Sequence, residues 1–187
     1  EEKMAQSRET IGPDAELMLN AVMSYSVEYA VQVSERLRPF RMRWLEEPLI
    51  PGDLEGHIEL KKACPWMPIA TGEDHHGRIA FRQLVENRCV DVLQPDLNWC
   101  GGLTEAVKIY TIGEAAGLQT IPHGGANTPF GQHFAMAMPE SLIAESITQA
   151  GVLKKRANRQ GMVTNAVGLH GLSRHCLGDH VHQLAED

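Results

Sequence analysis

Two periods of hydrophobic and polar positions alternate along this chain. One is typical of strands and occurs in six short apolar runs, at residues 15–22, 41–47, 67–73, 90–96, 118–124 and 141–147. The other is typical of helices, with apolar residues returning every three or four positions, at 27–37, 54–64, 78–89 and 103–117. A further helix is predicted at the start of the chain, before the Gly-Pro-Asp turn at 12–14.

Strands that alternate with helices indicate βα units and a parallel sheet. The unit recurs about every 25 residues, and no GxGxxG or GxxxxGK[ST] phosphate loop is present. The pattern therefore favours an α/β fold of the (βα)8-barrel type over a nucleotide-binding doubly wound sheet. A whole barrel takes about 250 residues, so we predict a partial barrel over 1–150, approximately strands three to eight, and an atypical C-terminal tail over 151–187.

Each apolar run carries, at or near its C-terminal end, a polar residue whose side chain could take part in catalysis or metal binding. These residues are Asn20, Glu46, Glu73, Asp96, His123 and Glu145. The C-terminal ends of parallel barrel strands lie on one face, where active sites occur. One such residue is more simply read as an ordinary loop residue that caps a helix, but six in register favour a shared site.

Two glutamates and an amide among these residues indicate a metal site. Glu46, Glu73 and Asn20 offer oxygen ligands, which Mg²⁺ prefers. Carboxylates brought together without a cation would repel one another, so a bound cation is the simplest reason to gather them. The adjacent pair Glu46 and Glu47, closed by Pro48, is unusual near a strand end because strand interiors disfavour glutamate.

A second constellation pairs Asp96 with His123 on adjacent strand ends. A carboxylate at one imidazole nitrogen fixes the tautomer and raises the basicity of the other nitrogen, as a general base requires. Taken alone, His123 in "IPHGG" is equally well a structural histidine. The position of Asp96 one unit earlier favours the catalytic interpretation.

Composition and charge argue against two classes of binding partner, nucleic acids and membranes. The formal net charge of -7, without a cluster of basic residues, argues against nucleic acid. No apolar run approaches the ~20 residues of a membrane span, and the charged start lacks the apolar segment of a signal peptide. The four cysteines form no CxxC pair and are expected to be free thiols, which predicts a cytoplasmic protein.

The motifs "LMLNAVMSY", "WLEEP", "ATGE", "QPDLNWCGGLTEA" and "PHG" resemble successive strand ends of the enolase superfamily, mandelate racemase-like branch. The resemblance covers residues 1–147 and is greatest to the acid-sugar dehydratases, the L-rhamnonate dehydratases among them. It implies a Mg²⁺-dependent hydro-lyase that converts a sugar acid to a 2-keto-3-deoxy acid. A proton is removed next to the substrate carboxylate, and the enediolate that forms is stabilised.

The resemblance also implies a role for each strand-end residue. Asn20, Glu46 and Glu73 fall on the three metal-ligand positions, and Asp96 with His123 on the catalytic dyad. Glu145 falls on the glutamate that hydrogen-bonds the enediolate. His75 or His76, close after the third metal ligand, falls near the substrate. His123 would act as general acid for the departing hydroxyl, although for His75 and His76 a solvent-facing loop is an equal alternative.

The chain departs from this pattern in ways that keep alternatives open. Asn20 stands where an Asp is expected, and the first two strands and a capping domain are absent, which predicts a homo-oligomer or a need for a missing N-terminal portion. A catalytically silent fragment, or a racemase or cycloisomerase of the same superfamily, are the alternatives. In the tail, His170, His175, His180 and His182 have a spacing that suggests metal, but a loosely ordered tail is favoured.

Overall fold

A computed structural model describes residues 1–139, 141, 143–146, 162–164 and 170–173 of the chain. Strands and helices alternate, as predicted. The strands are β1 Met18–Asn20, β2 Trp44–Glu46, β3 Ile69–Thr71, β4 Val92–Leu93, β5 Gln119–Thr120, β6 Ile143–Glu145, β7 Met162–Thr164 and β8 His170–Ser173. The helices are α1 Glu2–Ile11, α2 Val27–Leu37, α3 Leu54–Ala63, α4 Gly77–Glu86, α5 Leu103–Ala115 and α6 Pro129–Ala137. No helix among the described residues has the length and apolar character that crossing a membrane requires.

Strands β1 to β5 form one parallel sheet in chain order, which confirms the predicted α/β class. The register is level at the carboxyl ends, with Asn20 opposite Glu46 and Glu46 opposite Ala70. Each crossover contains one α-helix, as is usual for parallel pairing. The strand-end side chains therefore start from the same edge of the sheet.

Alternation along each strand divides the core into two layers. One face contributes Met18, Trp44, Ala70, Val92 and Ile121 to a single buried cluster, against which Ile143 packs. This cluster takes one residue from each of β1 to β4 and Ile121 from the position directly after β5, as in the filled interior of a barrel. The other face, with Leu45, Ile69 and Leu93, packs in the larger core beneath the helices.

The helices form for ordinary local reasons. In α2 the Ser26 hydroxyl accepts the Tyr29 amide N–H at 3.2 Å, and Ala30, Ser34 and Leu37 are buried on one face. Helix α6 was not among the predicted helices. Its start carries a readable signal, because Thr128 caps it and Pro129 occupies its first turn.

Strand β6 does not extend the parallel sheet in the described residues. It pairs antiparallel with β8, which also pairs with β7. Pro122 gives a physical reason for the break. The Ile121 N–H donates to β4 at the Leu93 carbonyl, so the next position faces the other way, and Pro122 has no N–H to offer a sixth strand there.

Most of the tail predicted over 151–187 lies outside the described residues. The described parts are the two short strands β7 and β8, and their backbone completes the antiparallel sheet with β6. Of the four tail histidines, His175, His180 and His182 lie outside the described residues. The division into a barrel part and a tail stays a prediction.

Candidate active site

The ends of β1 and β2 meet through a direct side-chain hydrogen bond. The Asn20 Nδ2 donates to Glu46 Oε1 at 2.8 Å, and the Asn20 Oδ1 accepts the Val22 amide N–H at 2.8 Å. Both ends of the amide are thus assigned by the network, since a carboxylate can only accept. The structure brings together the first two predicted metal-ligand positions.

The Glu46 carboxylate is fully buried and surrounded by donors. Besides Asn20, the Trp44 indole N–H and the Gln94 amide donate to Oε2, at 2.7 and 3.1 Å. Burial raises the pKa of Glu46, and these three hydrogen bonds together with His123 partly oppose the rise. The carboxylate is therefore an acceptor held in one orientation by neutral donors.

The second carboxylate of the site, Glu73, lies beside the His123 imidazole. Its Oε2 is 3.8 Å from His123 Nε2. Burial raises the pKa of Glu73, His123 lowers it, and the nearby Glu46 carboxylate raises it further. Glu46 and Glu73 therefore face a common region rather than opposite faces of the sheet.

The predicted dyad is formed, with His123 Nδ1 2.9 Å from Asp96 Oδ2. Since the carboxylate accepts, Nδ1 carries the proton and Nε2 is turned toward Glu73. Burial alone would lower the pKa of His123. The acidic neighbours Glu145, Asp96 and Glu73 outweigh burial, and the pKa is raised.

Glu145 reaches the same site from β6, although β6 belongs to the other sheet. Its Oε2 accepts the Gly124 amide N–H at 2.7 Å, one residue beyond His123. Burial and the Glu46 charge raise the pKa of Glu145 to about 7, against the opposing effect of His123. A carboxyl group whose pKa is close to physiological pH is partly protonated, so it can donate a hydrogen bond as well as accept one.

The two candidate substrate histidines differ in their surroundings. His75 is only 5% exposed and packs against Phe81 in the layer between strands and helices, with ring centroids 5.7 Å apart. Burial lowers the pKa of His75 to about 4. His76 is exposed; its Nδ1 lies 2.9 Å from the Trp99 carbonyl and its ring stacks on Trp99. The geometry does not join His75 to the carboxylate cluster.

Three residues that contact the site were missed by sequence reasoning. Trp44 and Gln94 hold Glu46, and Glu47 binds the loop that carries Glu73. Parity was the available signal for the first two, because Trp44 lies two residues before Glu46 and Gln94 two before Asp96. Side chains at such spacing share a face of a strand.

The donor set has the chemistry of a Mg²⁺ site, with one qualification at Asn20. Glu46 is buried and Glu73 is partly buried, and the two carboxylates repel each other, a repulsion that a hard dication would neutralise. The Asn20 oxygen, however, already accepts the Val22 N–H through one of its two lone pairs, which leaves the other lone pair for a cation. Among the described residues no group of three His, Cys, Asp or Glu side chains suitable for a metal is found.

Comparison with known proteins agrees with this geometry. The family model described as "Enolase C-terminal domain-like" matches residues 1–170. An L-rhamnonate dehydratase from Saccharopolyspora erythraea is 39% identical over 145 residues, which cover 77% of this chain and 37% of that protein. The chain thus spans little more than a third of this curated relative.

Solved structures show the same similarity. Rhamnonate dehydratase from Gibberella zeae complexed with Mg is 36% identical with a TM-score of 0.70, covering 74% of this chain and 34% of that one. L-Talarate dehydratase from Polaromonas sp. JS666, complexed with Mg and L-glucarate, is 35% identical with a TM-score of 0.59, covering 62% and 32%. In both cases the matched part contains about a third of the solved chain.

Proposed function

The chain belongs to the enolase C-terminal domain-like family, and on that premise we propose that it is the barrel part of a Mg²⁺-dependent acid-sugar dehydratase. The observation that carries the proposal is the position of His123. Its Nδ1 is 2.9 Å from Asp96 and its Nε2 is 3.8 Å from Glu73, beside the buried Glu46. We propose a six-carbon sugar acid of the L-rhamnonate kind as substrate, since relatives with that name are among the most similar proteins.

Asn20, Glu46 and Glu73 would hold the cation. Bound Mg²⁺ supplies positive charge near the substrate carboxylate, which acidifies the neighbouring C–H group. The three neutral donors around Glu46 keep that carboxylate oriented, as outer hydrogen bonds do for metal ligands.

His123 would move the proton. Because Asp96 binds the proton on Nδ1, the Nε2 lone pair is free to take the proton from the carbon next to the carboxylate. Asp96 stabilises the imidazolium that results, and that imidazolium returns the proton to the 3-hydroxyl as it departs as water. The enol left behind tautomerises to the 2-keto-3-deoxy acid, so protons and electrons balance.

Glu145 would act on the substrate oxygens. One of its oxygens is fixed by the Gly124 N–H, which leaves the other to face the site. Its pKa of about 7 makes the protonated carboxyl available as a donor to the oxygen that gains charge when the proton leaves. Of the two loop histidines, the exposed His76 is the better proposed substrate contact.

The test is product formation by the whole chain with Mg²⁺ and L-rhamnonate, followed by NMR in D₂O. We expect a 2-keto-3-deoxy product, and a loss of about 10³-fold or more in rate for His123→Asn. Exchange of the proton next to the carboxylate without loss of water would instead favour the racemase or cycloisomerase reaction. If the parent chain shows no exchange of that proton and forms no product, the proposed activity is refuted.

A catalytically silent protein is the second candidate, and a specific observation favours it. The Asn20 amide donates to Glu46 where a third anionic ligand is expected, and its oxygen is already bonded. A chain that folds but neither binds Mg²⁺ nor exchanges the substrate proton would support this alternative.

A further inference from the structure

Glu47 follows the proposed metal ligand Glu46 but turns in the opposite direction. Its φ is +41°, a left-handed conformation that costs a non-glycine residue energy and persists only when its surroundings enforce it. The side chain is fully buried. Such strain at a residue next to a proposed ligand calls for a physical reason.

The hydrogen bonds supply that reason. Along β2 and β3, the Leu45 and Glu47 amides donate to the Pro68 and Ala70 carbonyls at 2.8 and 2.9 Å. The next rung of a parallel ladder would join the Gly72 N–H to the Glu47 carbonyl. The turn at Glu47 instead directs that carbonyl to the Met23 N–H, 2.7 Å away in the loop after β1.

The Glu47 carboxylate takes the place of its own carbonyl in the ladder. Its Oε1 accepts three hydrogen bonds: from the Gly72 amide at 2.6 Å, the Thr71 hydroxyl at 2.8 Å and the Glu73 amide at 3.2 Å. Two of these donors are the backbone groups immediately before and at Glu73. The side chain therefore fixes the backbone from which the second carboxylate of the site extends.

Gly72 makes this backbone sensitive to its support. Its φ of +141° is open to glycine and rarely to other residues, so the peptide at 72–73 has more conformations available than its neighbours. Oε2 of Glu47 is buried and has no hydrogen-bond partner among the described residues. All of the anchoring thus passes through one oxygen.

We propose that Glu47 is a positioning residue for Glu73, which replaces a missing rung between β2 and β3 and so sets the separation of the Glu46 and Glu73 carboxylates. This inference rests on the proposed function, in which those two carboxylates hold a cation. It concerns hydrogen bonding by one oxygen, so the charge of Glu47 is not required.

Three variants separate the hydrogen bonds from the charge. Glu47→Gln keeps an oxygen for the three donors and puts its nitrogen at the position of Oε2. Glu47→Asp keeps the charge but withdraws the oxygen by one methylene, and Glu47→Ala removes it. Thr71→Val is the matched control, because it removes one donor to the same oxygen and leaves both amide bonds in place.

The first measurement is amide hydrogen exchange in the whole chain without metal. We expect exchange at Gly72 and Glu73 to be about tenfold faster in Glu47→Asp and Glu47→Ala and near the parent rate in Glu47→Gln. The Met23 amide, bonded to the Glu47 carbonyl, is the internal control and should keep its rate. Unchanged exchange at Gly72 and Glu73 in Glu47→Asp overturns the proposal. If Glu47→Ala fails to fold, the contrast between Asp and Gln decides.

The second measurement is the Kd for Mn²⁺, followed by electron paramagnetic resonance of the free ion. Loss of a residue that orients a metal ligand costs about 10–100-fold in affinity, which we expect for Glu47→Asp but not for Glu47→Gln or Thr71→Val. Equal losses in the Asp and Gln variants would assign the effect to packing, and a loss in the Gln variant alone would assign it to charge; either result overturns the proposal. If the parent binds no Mn²⁺, the proposed function fails, and the exchange rates alone decide the role of Glu47.

Discussion

Asn20→Asp tests the proposed metal site at its least conventional ligand. In the chain without metal, the substitution removes the 2.8 Å hydrogen bond from Nδ2 and puts a carboxylate oxygen against Glu46 Oε1. A lost hydrogen bond to a charged group costs about 1.5–3 kcal/mol. Two unit charges about 4 Å apart repel by about 4 kcal/mol at an effective dielectric of 20.

These magnitudes predict a clear loss of stability without metal. Uptake of a shared proton limits the repulsion, so we expect a net loss of about 2–4 kcal/mol. For a chain of this size that corresponds to a Tm lower by about 5–15 °C. With Mg²⁺ the new carboxylate becomes the third anionic ligand, and a Kd tenfold tighter returns about 1.4 kcal/mol at saturation.

Thermal melts with and without Mg²⁺ measure both effects. The Asp form should melt lower than the parent without metal and gain more from Mg²⁺. Asn87→Asp adds the same charge at the exposed C-terminal end of α4, where it removes the bond from Asn87 Nδ2 to the Gln83 carbonyl. This control should lose less stability than Asn20→Asp and should gain no more from Mg²⁺ than the parent. A Mg²⁺-dependent rise no larger in Asn20→Asp than in the parent would refute the assignment of Asn20 as a metal-ligand position.

Three further predictions concern stability. Burial lowers the pKa of His57, so the unfolded chain binds a proton at this residue at a higher pH than the folded chain does. The free energy of unfolding should therefore fall as the pH drops below about 6.5. Denaturant titrations should show a shallower fall in His57→Leu. Gly72→Ala should destabilise by about 2 kcal/mol or more, because its Cβ would lie 2.7 Å from Phe81 Cε1 at a φ of +141°, and an unchanged urea midpoint would contradict this. Ser26→Ala should cost about 1 kcal/mol through loss of the α2 cap, read from the same midpoint; a loss several times larger would show another role for Ser26.

The strand ends could be predicted because two local rules agree there. An apolar run that ends on a polar residue marks both the strand and the edge of the sheet, which placed Asn20, Glu46 and His123 correctly at that edge. The structural strands are shorter than the runs, since only the residues in the ladder count. The regular repeat of these runs made the α/β class predictable, and the parallel sheet of β1 to β5 confirms it.

Other features depended on information that a pattern lacks. Which of two adjacent loop histidines faces the site depends on backbone angles, and His75 turned inward against Phe81. The pairing of β6 depended on competition between an edge without a donor at Pro122 and an antiparallel partner about 25 residues later. The orientation of the Glu47 side chain depended on a positive φ, which the conformational preferences of glutamate do not predict.

The hydrogen bond from the Trp44 indole to Glu46 gives the site an optical reporter. The indole N–H lies 2.7 Å from an anionic oxygen, and the ring is 2% exposed, so its excited state senses that charge without competition from solvent. A cation that binds to Glu46 should change the near-ultraviolet circular dichroism and the fluorescence emission of Trp44. The same titration in Trp44→Phe leaves Trp66 and Trp99 as background, so the difference spectrum follows occupancy at Glu46 without any added label.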